Sequence, residues 1–76
     1  MKLQPHDHLK SVFDQLLADG YSGRVKVWLQ GGIEIVGTVG ETGNHAVVIK
    51  ALSGREYFDA HVRYEHVTCV EAQTRT

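Results

Sequence analysis

The chain has 76 residues, enough for one domain and too few for two. Eight Lys and Arg residues against nine Asp and Glu residues give a formal charge of −1 at pH 7, which excludes the broad basic surface of a nonspecific nucleic-acid binder. No apolar stretch approaches the ~20 residues of a membrane-spanning helix, and the first residues lack the pattern of a signal peptide, so we expect a cytoplasmic protein without membrane contact.

The first predicted element is an amphipathic helix over residues 8–19, followed by Gly20 as its natural end. Asp7 or His8 stands near its start, where an aspartate would cap free N–H groups. Apolar residues recur along one face at the spacing i, i+3, i+4, i+7 and i+8: Leu9, Val12, Phe13, Leu16 and Leu17.

From Gly23 onward the apolar period changes to two, which predicts two half-buried strands. A three-residue loop, Gln30-Gly31-Gly32, would pair Leu29 with Ile33 and keep both apolar rows on one face, whereas a two-residue loop would not. We therefore expect the three-residue, bulged turn. Gly37 lies within the second strand on its apolar row, where a missing side chain is typical of a sharp bend or a close backbone approach. The apolar rows are Val25, Val27 and Leu29, then Ile33, Ile35, Gly37 and Val39.

The rest of the chain predicts three more strands, "HAVVIKAL", "EYFDAHV" and "HVTCVEA", with turns at "ETGN" and "LSGR" and a frayed tail over residues 72–76. The predicted fold is mainly β: an N-terminal α-helix followed by a five-stranded, strongly bent antiparallel open barrel over residues 23–71. The whole chain would form one domain.

Cys69 is the only cysteine, so no disulfide forms within the chain, and its apolar strand context predicts a small buried side chain. A domain of this length buries only about 60 to 65 % of the surface that its unfolded chain exposes. Such domains usually gain stability from disulfides, a metal or an oligomer. Here the open barrel would leave two strand edges unpaired, which favours a ring in which the fourth strand of one subunit pairs with the fifth of the next.

Two segments, "VKVWLQGGIEIVGTV" and "VRYEHVTCV", resemble the two motifs of the Sm, LSm and Hfq family, and the likeness covers residues 9–71. Tyr64-Glu65-His66 stands where the bacterial Hfq branch has Tyr-Lys-His. The matching positions are Leu29, Gly32, Ile35, Gly37 and Val39 in the first motif, and Val62, Arg63, Val67 and Val70 in the second.

The resemblance implies an Sm-like (SH3-like) open barrel that assembles into a homo-oligomeric ring of five to seven subunits and binds single-stranded RNA, U-rich or A-rich. Trp28 and Ile33 would form a second RNA-binding surface on the outer face, with Trp28 stacking on a base. The resemblance implies these RNA-binding residues at the pore: Asn44, His45, Arg63, Tyr64 and His66.

Three departures from the family pattern weaken the expected uridine binding. Gly43 and Val47 replace an aspartate and an asparagine of Sm proteins, and Glu65 replaces a lysine of Hfq, which puts a negative charge where phosphate would approach. The alternative function is a ring or small barrel that acts as a protein-interaction or structural module without RNA binding.

Two of the proposed site residues also have a structural interpretation. Trp28 would pack against the helix or a neighbouring subunit, and Arg63 would pair with Glu65 or Asp59.

His6-Asp7-His8 offers zinc ligands, but a structural site needs four ligands and no second cluster has metal spacing, so we expect surface histidines and no metal. No residue stands in a nucleophile pattern and no glycine loop precedes a helix, so we expect neither an enzyme nor a cofactor.

Overall fold

A computed structural model describes all 76 residues and has the predicted order of one helix followed by five strands. A short 3-10 helix separates the last two strands. No helix in the chain has the length and apolar character needed to cross a membrane. The elements are α1 (Leu9–Ala18), β1 (Arg24–Leu29), β2 (Glu34–Thr42), β3 (Ala46–Lys50), β4 (Ala60–Arg63), η1 (Tyr64–His66) and β5 (Val67–Ala72).

The five strands form one antiparallel sheet in the order β4-β3-β2-β1-β5. The sheet does not close, because β4 and β5 each have only one neighbouring strand. This arrangement agrees with the Sm-like, SH3-like open barrel that the sequence predicts. The core lies between the sheet and α1, and its buried apolar residues are Phe13, Leu16, Val25, Val27, Val47, Ile49, Leu52 and Val62.

Helix α1 begins and ends within one residue of its predicted limits and buries Phe13 and Leu16. Gly20 follows it at φ 76°, and its N–H donates to the Leu17 carbonyl at 3.0 Å, which closes the helix end. His8 occupies the N-cap position and makes no side-chain capping bond, so the predicted aspartate cap is not formed.

The turn between β1 and β2 is the three-residue loop that the strand parity predicts. Trp28 pairs with Glu34, and the Leu29 N–H donates to the Ile33 carbonyl at 2.7 Å. Ile33 itself is 60 % exposed, so its predicted place in the apolar core row is wrong. It lies at the tip of the hairpin, where the residues on either side, Gly32 and Glu34, are also exposed.

Gly37 is buried in the middle of β2, as the sequence predicts for a point of close backbone approach. A Cβ atom at this position would lie 2.5 Å from the Lys50 carbonyl oxygen and 2.8 Å from the Ile49 Cγ2 atom. Both distances are shorter than van der Waals contact, so only glycine lets β2 pack this tightly against β3.

The predicted fourth strand, "EYFDAHV", is wrong at its start, because residues 51–59 form a compact loop and β4 begins only at Ala60. Ala51 adopts φ 52°, which ends β3 before the predicted limit. The Ala51 N–H then donates to the Asp59 carboxylate at 3.1 Å, and the Leu52 N–H donates to the Phe58 carbonyl at 3.0 Å. These bonds within the loop replace strand pairing.

The prediction of a buried Cys69 is also wrong, because the cysteine is exposed. The pairing of β1 with β5 shifts register between Trp28 and Leu29, so that Cys69 lies opposite Trp28 while Val67 lies opposite Leu29. Cys69 therefore shares the outer row of Trp28. Strand β5 ends at Ala72, as the predicted segment "HVTCVEA" does, so Ala72 belongs to the strand and not to the predicted tail of residues 72–76.

Candidate nucleic-acid interface

A cleft of about 550 Å³ lies where the start of α1 meets the β2–β3 turn and the end of β4. It brings together residues that are far apart in sequence and includes four of the five predicted pore residues; His66 does not line it. The lining residues are Asp7, His8, Leu9, Lys10, Ser11, Asn44, His45, Arg63, Tyr64 and Glu65.

Tyr64 is fixed in the wall of this cleft by contacts on three sides. Its hydroxyl donates to the Gly43 carbonyl at 2.8 Å, and its N–H donates to the His45 carbonyl at 2.9 Å. Its ring stacks on Phe13 with centroids 6.1 Å apart, and burial raises the pKa of the Tyr64 hydroxyl. Tyr64 thus ties η1 to the β2–β3 turn and holds Asn44 and His45 at the cleft.

Arg63 and Glu65 form an ion pair across the open side of the cleft. The Arg63 Nε atom lies 2.7 Å from the Glu65 Oε1 atom, and the two side chains are 58 % and 60 % exposed. His66 Nε2 lies 3.7 Å from the same carboxylate oxygen. Of the two partners that the sequence suggests for Arg63, the fold uses Glu65, while Asp59 accepts a hydrogen bond within the loop of residues 51–59.

A second polar network joins α1 to the end of β2. Lys10 Nζ lies 2.6 Å from Asp14 Oδ2, and the Thr42 hydroxyl donates to Asp14 Oδ1 at 2.5 Å. The hydrogen bonds from Lys10 and Thr42 hold the pKa of Asp14 below its usual value. The hydrogen bond to Asp14 in turn raises the pKa of Lys10. The spacing i, i+4 of Lys10 and Asp14 was the available sequence signal for half of this network, and nothing in the sequence indicated Thr42.

The predicted outer-face residues lie on a different surface. Trp28 borders a shallow cleft of about 410 Å³, formed with the β1–β2 turn and the exposed Thr68 and Cys69; Ile33 does not line it. The indole N–H of Trp28 donates to the Glu71 carboxylate, and Lys26 Nζ lies 5.6 Å from the ring centroid. Trp28 lies outside the core to which α1 contributes, so packing against the helix does not account for it.

The main cleft offers an amide from Asn44, an imidazole from His45, a guanidinium from Arg63 and a carboxylate from Glu65. These groups donate and accept hydrogen bonds of the kind that base edges make, and an imidazole also stacks on a base. No three His, Cys, Asp or Glu residues lie close enough together to hold a metal ion. No family model, curated protein or solved structure matches the chain.

Proposed function

We propose that this protein is an Sm-like, Hfq-like RNA-binding protein that acts in the cytoplasm as a homo-oligomeric ring. The observation that carries the proposal is that Asn44, His45, Arg63 and Tyr64 line one cleft. Their residue types are those that bind single-stranded RNA by stacking and by hydrogen bonds to splayed bases. In the ring, each subunit would present its cleft to the pore and hold one nucleotide of a U-rich strand.

The free strand edges support the ring. Strands β4 and β5 each leave one edge unpaired, and only nine of the 76 residues are buried. Pairing β4 of one subunit with β5 of the next covers both edges and enlarges a small core. The resemblance to Sm-like rings implies that this pairing closes into a ring of five to seven subunits.

The charges of the cleft indicate how RNA would bind. Arg63 is paired with Glu65 and Lys10 is paired with Asp14, so the cleft has little free positive charge to offer a phosphate. Base contacts would therefore contribute more than phosphate contacts, and binding would be modest and weaken as salt rises. A-rich strands would stack on Trp28 at the other surface, where one tryptophan–base contact contributes about 1 to 3 kcal/mol.

The experiment is a titration of the assembled protein with fluorescently labelled U-rich and A-rich oligonucleotides, after light scattering has given its mass. The Asn44→Ala, His45→Ala double variant removes two exposed side chains of the cleft. His61→Ala is the matched control, because His61 is exposed on β4 and does not line the cleft. We expect the double variant to lose U-rich binding and the control to keep it. Equal binding by the parent and the double variant would refute the cleft as the site.

A second candidate function is a protein-interaction module of the same architecture. The observation that favours it is the Arg63–Glu65 ion pair, which neutralises the one arginine of the cleft. In that case the protein would assemble yet purify without RNA and bind neither oligonucleotide. The ratio of absorbance at 260 and 280 nm, followed by mass spectrometry of any copurifying RNA, separates the two functions.

A further inference from the structure

The loop Arg55–Phe58, here called the aromatic loop, displays two neighbouring aromatic side chains to solvent. Tyr57 is fully exposed and Phe58 is 59 % exposed. The guanidinium of Arg55 lies 5.5 Å from the Phe58 ring centroid. Tyr, Phe and Arg are enriched in protein–protein interfaces, and two adjacent exposed aromatic rings are a larger apolar surface than isolated exposed residues usually make.

Hydrogen bonds hold the backbone of this loop in one conformation. The Phe58 N–H donates to the Arg55 carbonyl at 2.9 Å, and the Phe58 carbonyl accepts from Leu52 at 3.0 Å. The Ser53 N–H, just before the loop, donates to the Val36 carbonyl of β2 at 2.9 Å. The aromatic side chains therefore project from a preorganised backbone, and a partner would bind them at a small cost in conformational entropy.

The position of the aromatic loop points to the partner. It lies just before β4, whose outer edge has no strand beside it. All four strand pairs of the chain are antiparallel. If β4 pairs in the same mode with β5 of another copy, the residues that follow Ala72 in that copy run alongside the residues that precede Ala60 in the first. The aromatic loop then faces residues 73–76 of the neighbour.

The charges distinguish a second copy from a nucleic acid. The segment from Arg55 to Asp59 carries one positive and two negative side chains, so its net charge of −1 disfavours a phosphate backbone. Residues 73–76 contain one charged side chain, the exposed Arg75. An arginine opposite Glu56 and Asp59 would be a complementary arrangement, and the pairing would fix the register of the two chains.

We propose that the aromatic loop of one subunit binds residues 73–76 of the next, with Tyr57 and Phe58 packing on that segment and Arg75 pairing with Glu56. This inference rests on the proposed ring and extends its interface beyond the paired strands. The loop thereby selects a second copy of this chain as the partner of the β4 edge.

The test is the mass of the protein by light scattering and native mass spectrometry over a dilution series. Tyr57→Gln with Phe58→Gln removes the aromatic surface, and Leu17→Gln is the control, because Leu17 is an exposed apolar residue on α1, 39 % exposed. We expect the double variant to dissociate at a concentration at least about tenfold higher than the parent, and the control to match the parent. Circular dichroism checks that each variant keeps its fold.

A charge exchange tests the pairing. Arg75→Glu and Glu56→Arg should each weaken assembly, and the two together should restore it. A parent ring that the aromatic and charge variants leave unchanged would overturn the inference and leave the ring standing, whereas a monomeric parent would overturn both. Intact assembly with lost oligonucleotide binding in the Tyr57→Gln, Phe58→Gln variant would instead identify the loop as an RNA surface and also overturn the inference.

Discussion

Replacing Glu65 with glutamine should strengthen binding of a U-rich strand. The carboxylate lies 2.7 Å from the Arg63 Nε atom and is 60 % exposed at the open side of the cleft. Glutamine keeps the shape of the side chain and removes its charge, so the arginine becomes free to meet a phosphate. Each cleft of a ring would then gain one unit of positive charge.

Coulomb's law gives the size of the effect. Because the carboxylate is exposed, a water-like dielectric applies, and it repels a phosphate about 6 Å away by about 0.7 kcal/mol. Removing this repulsion strengthens binding by about threefold for each occupied cleft. A strand that spans several subunits multiplies the gain, and the gain shrinks as the salt concentration rises because the Debye length falls to about 8 Å at physiological ionic strength.

The assay is fluorescence anisotropy of a labelled U-rich oligonucleotide at several salt concentrations. Glu41→Gln is the matched control, because Glu41 is exposed on β2, does not line the cleft and gives the same change in net charge. If the two variants gain affinity equally, the effect belongs to the overall charge and not to the cleft. If Glu65→Gln gains nothing while U-rich RNA still binds, the phosphate does not pass near this residue.

Three further predictions concern the fold around the site. Gly37→Ala should lower the free energy of unfolding by about 1 to 3 kcal/mol, since its Cβ would lie 2.5 Å from a backbone carbonyl oxygen. Gly43→Ala, whose Cβ would have its nearest contact at 3.4 Å, should change the free energy of unfolding by less than about 1 kcal/mol. Urea unfolding compares the two variants, and equal losses of stability would contradict the packing argument. The hydrogen bond from Lys10 lowers the pKa of Asp14 in the folded protein. The Asp14 carboxylate therefore stabilises the fold fully when the pH is well above its unfolded pKa of 3.8, and this stabilisation is lost as the pH falls through the lower folded pKa. Thermal melts should therefore show a smaller acid-induced loss of stability for Asp14→Asn than for the parent. Identical pH profiles would exclude this carboxylate as a source of the acid-induced loss of stability. Cys69 should react with a thiol reagent without denaturant because it is exposed, and a reaction seen only after unfolding would show that the thiol is covered.

The alternation of apolar residues and the turn residues were sufficient to predict most of the strands. The parity of the apolar rows is enough to pair Leu29 with Ile33, and the apolar context of Gly37 is enough to predict a close approach. Cys69 could not be placed in the same way, because a register shift between Trp28 and Leu29 decides which face it occupies. A shift of one residue is invisible in a strand whose residues are nearly all compatible with either face.

Which residues share the cleft was predictable only where the family resemblance named them. The resemblance named Asn44 and Arg63, which line one cleft although they lie far apart in the chain. The hydrogen bond between Thr42 and Asp14 had no sequence signal, because it depends on how α1 packs against the end of β2. The aromatic residues of the 51–59 loop were mistaken for strand residues, since aromatic side chains also favour strands.

The strand order also indicates the order in which the strands pair during folding. Strands β1, β2 and β3 each pair with the next strand along the chain, whereas β5 must return past β4, β3 and β2 to pair with β1, so that 43 residues separate Trp28 from its hydrogen-bond partner Glu71. Closing so long a loop costs entropy before any contact is gained, which makes the docking of β5 the late step of folding. Until it docks, the flank of β1 is open to the same strand of another molecule. This interval is when the protein is most exposed to strand exchange and misassembly, and a slow step in refolding should depend on protein concentration for that reason.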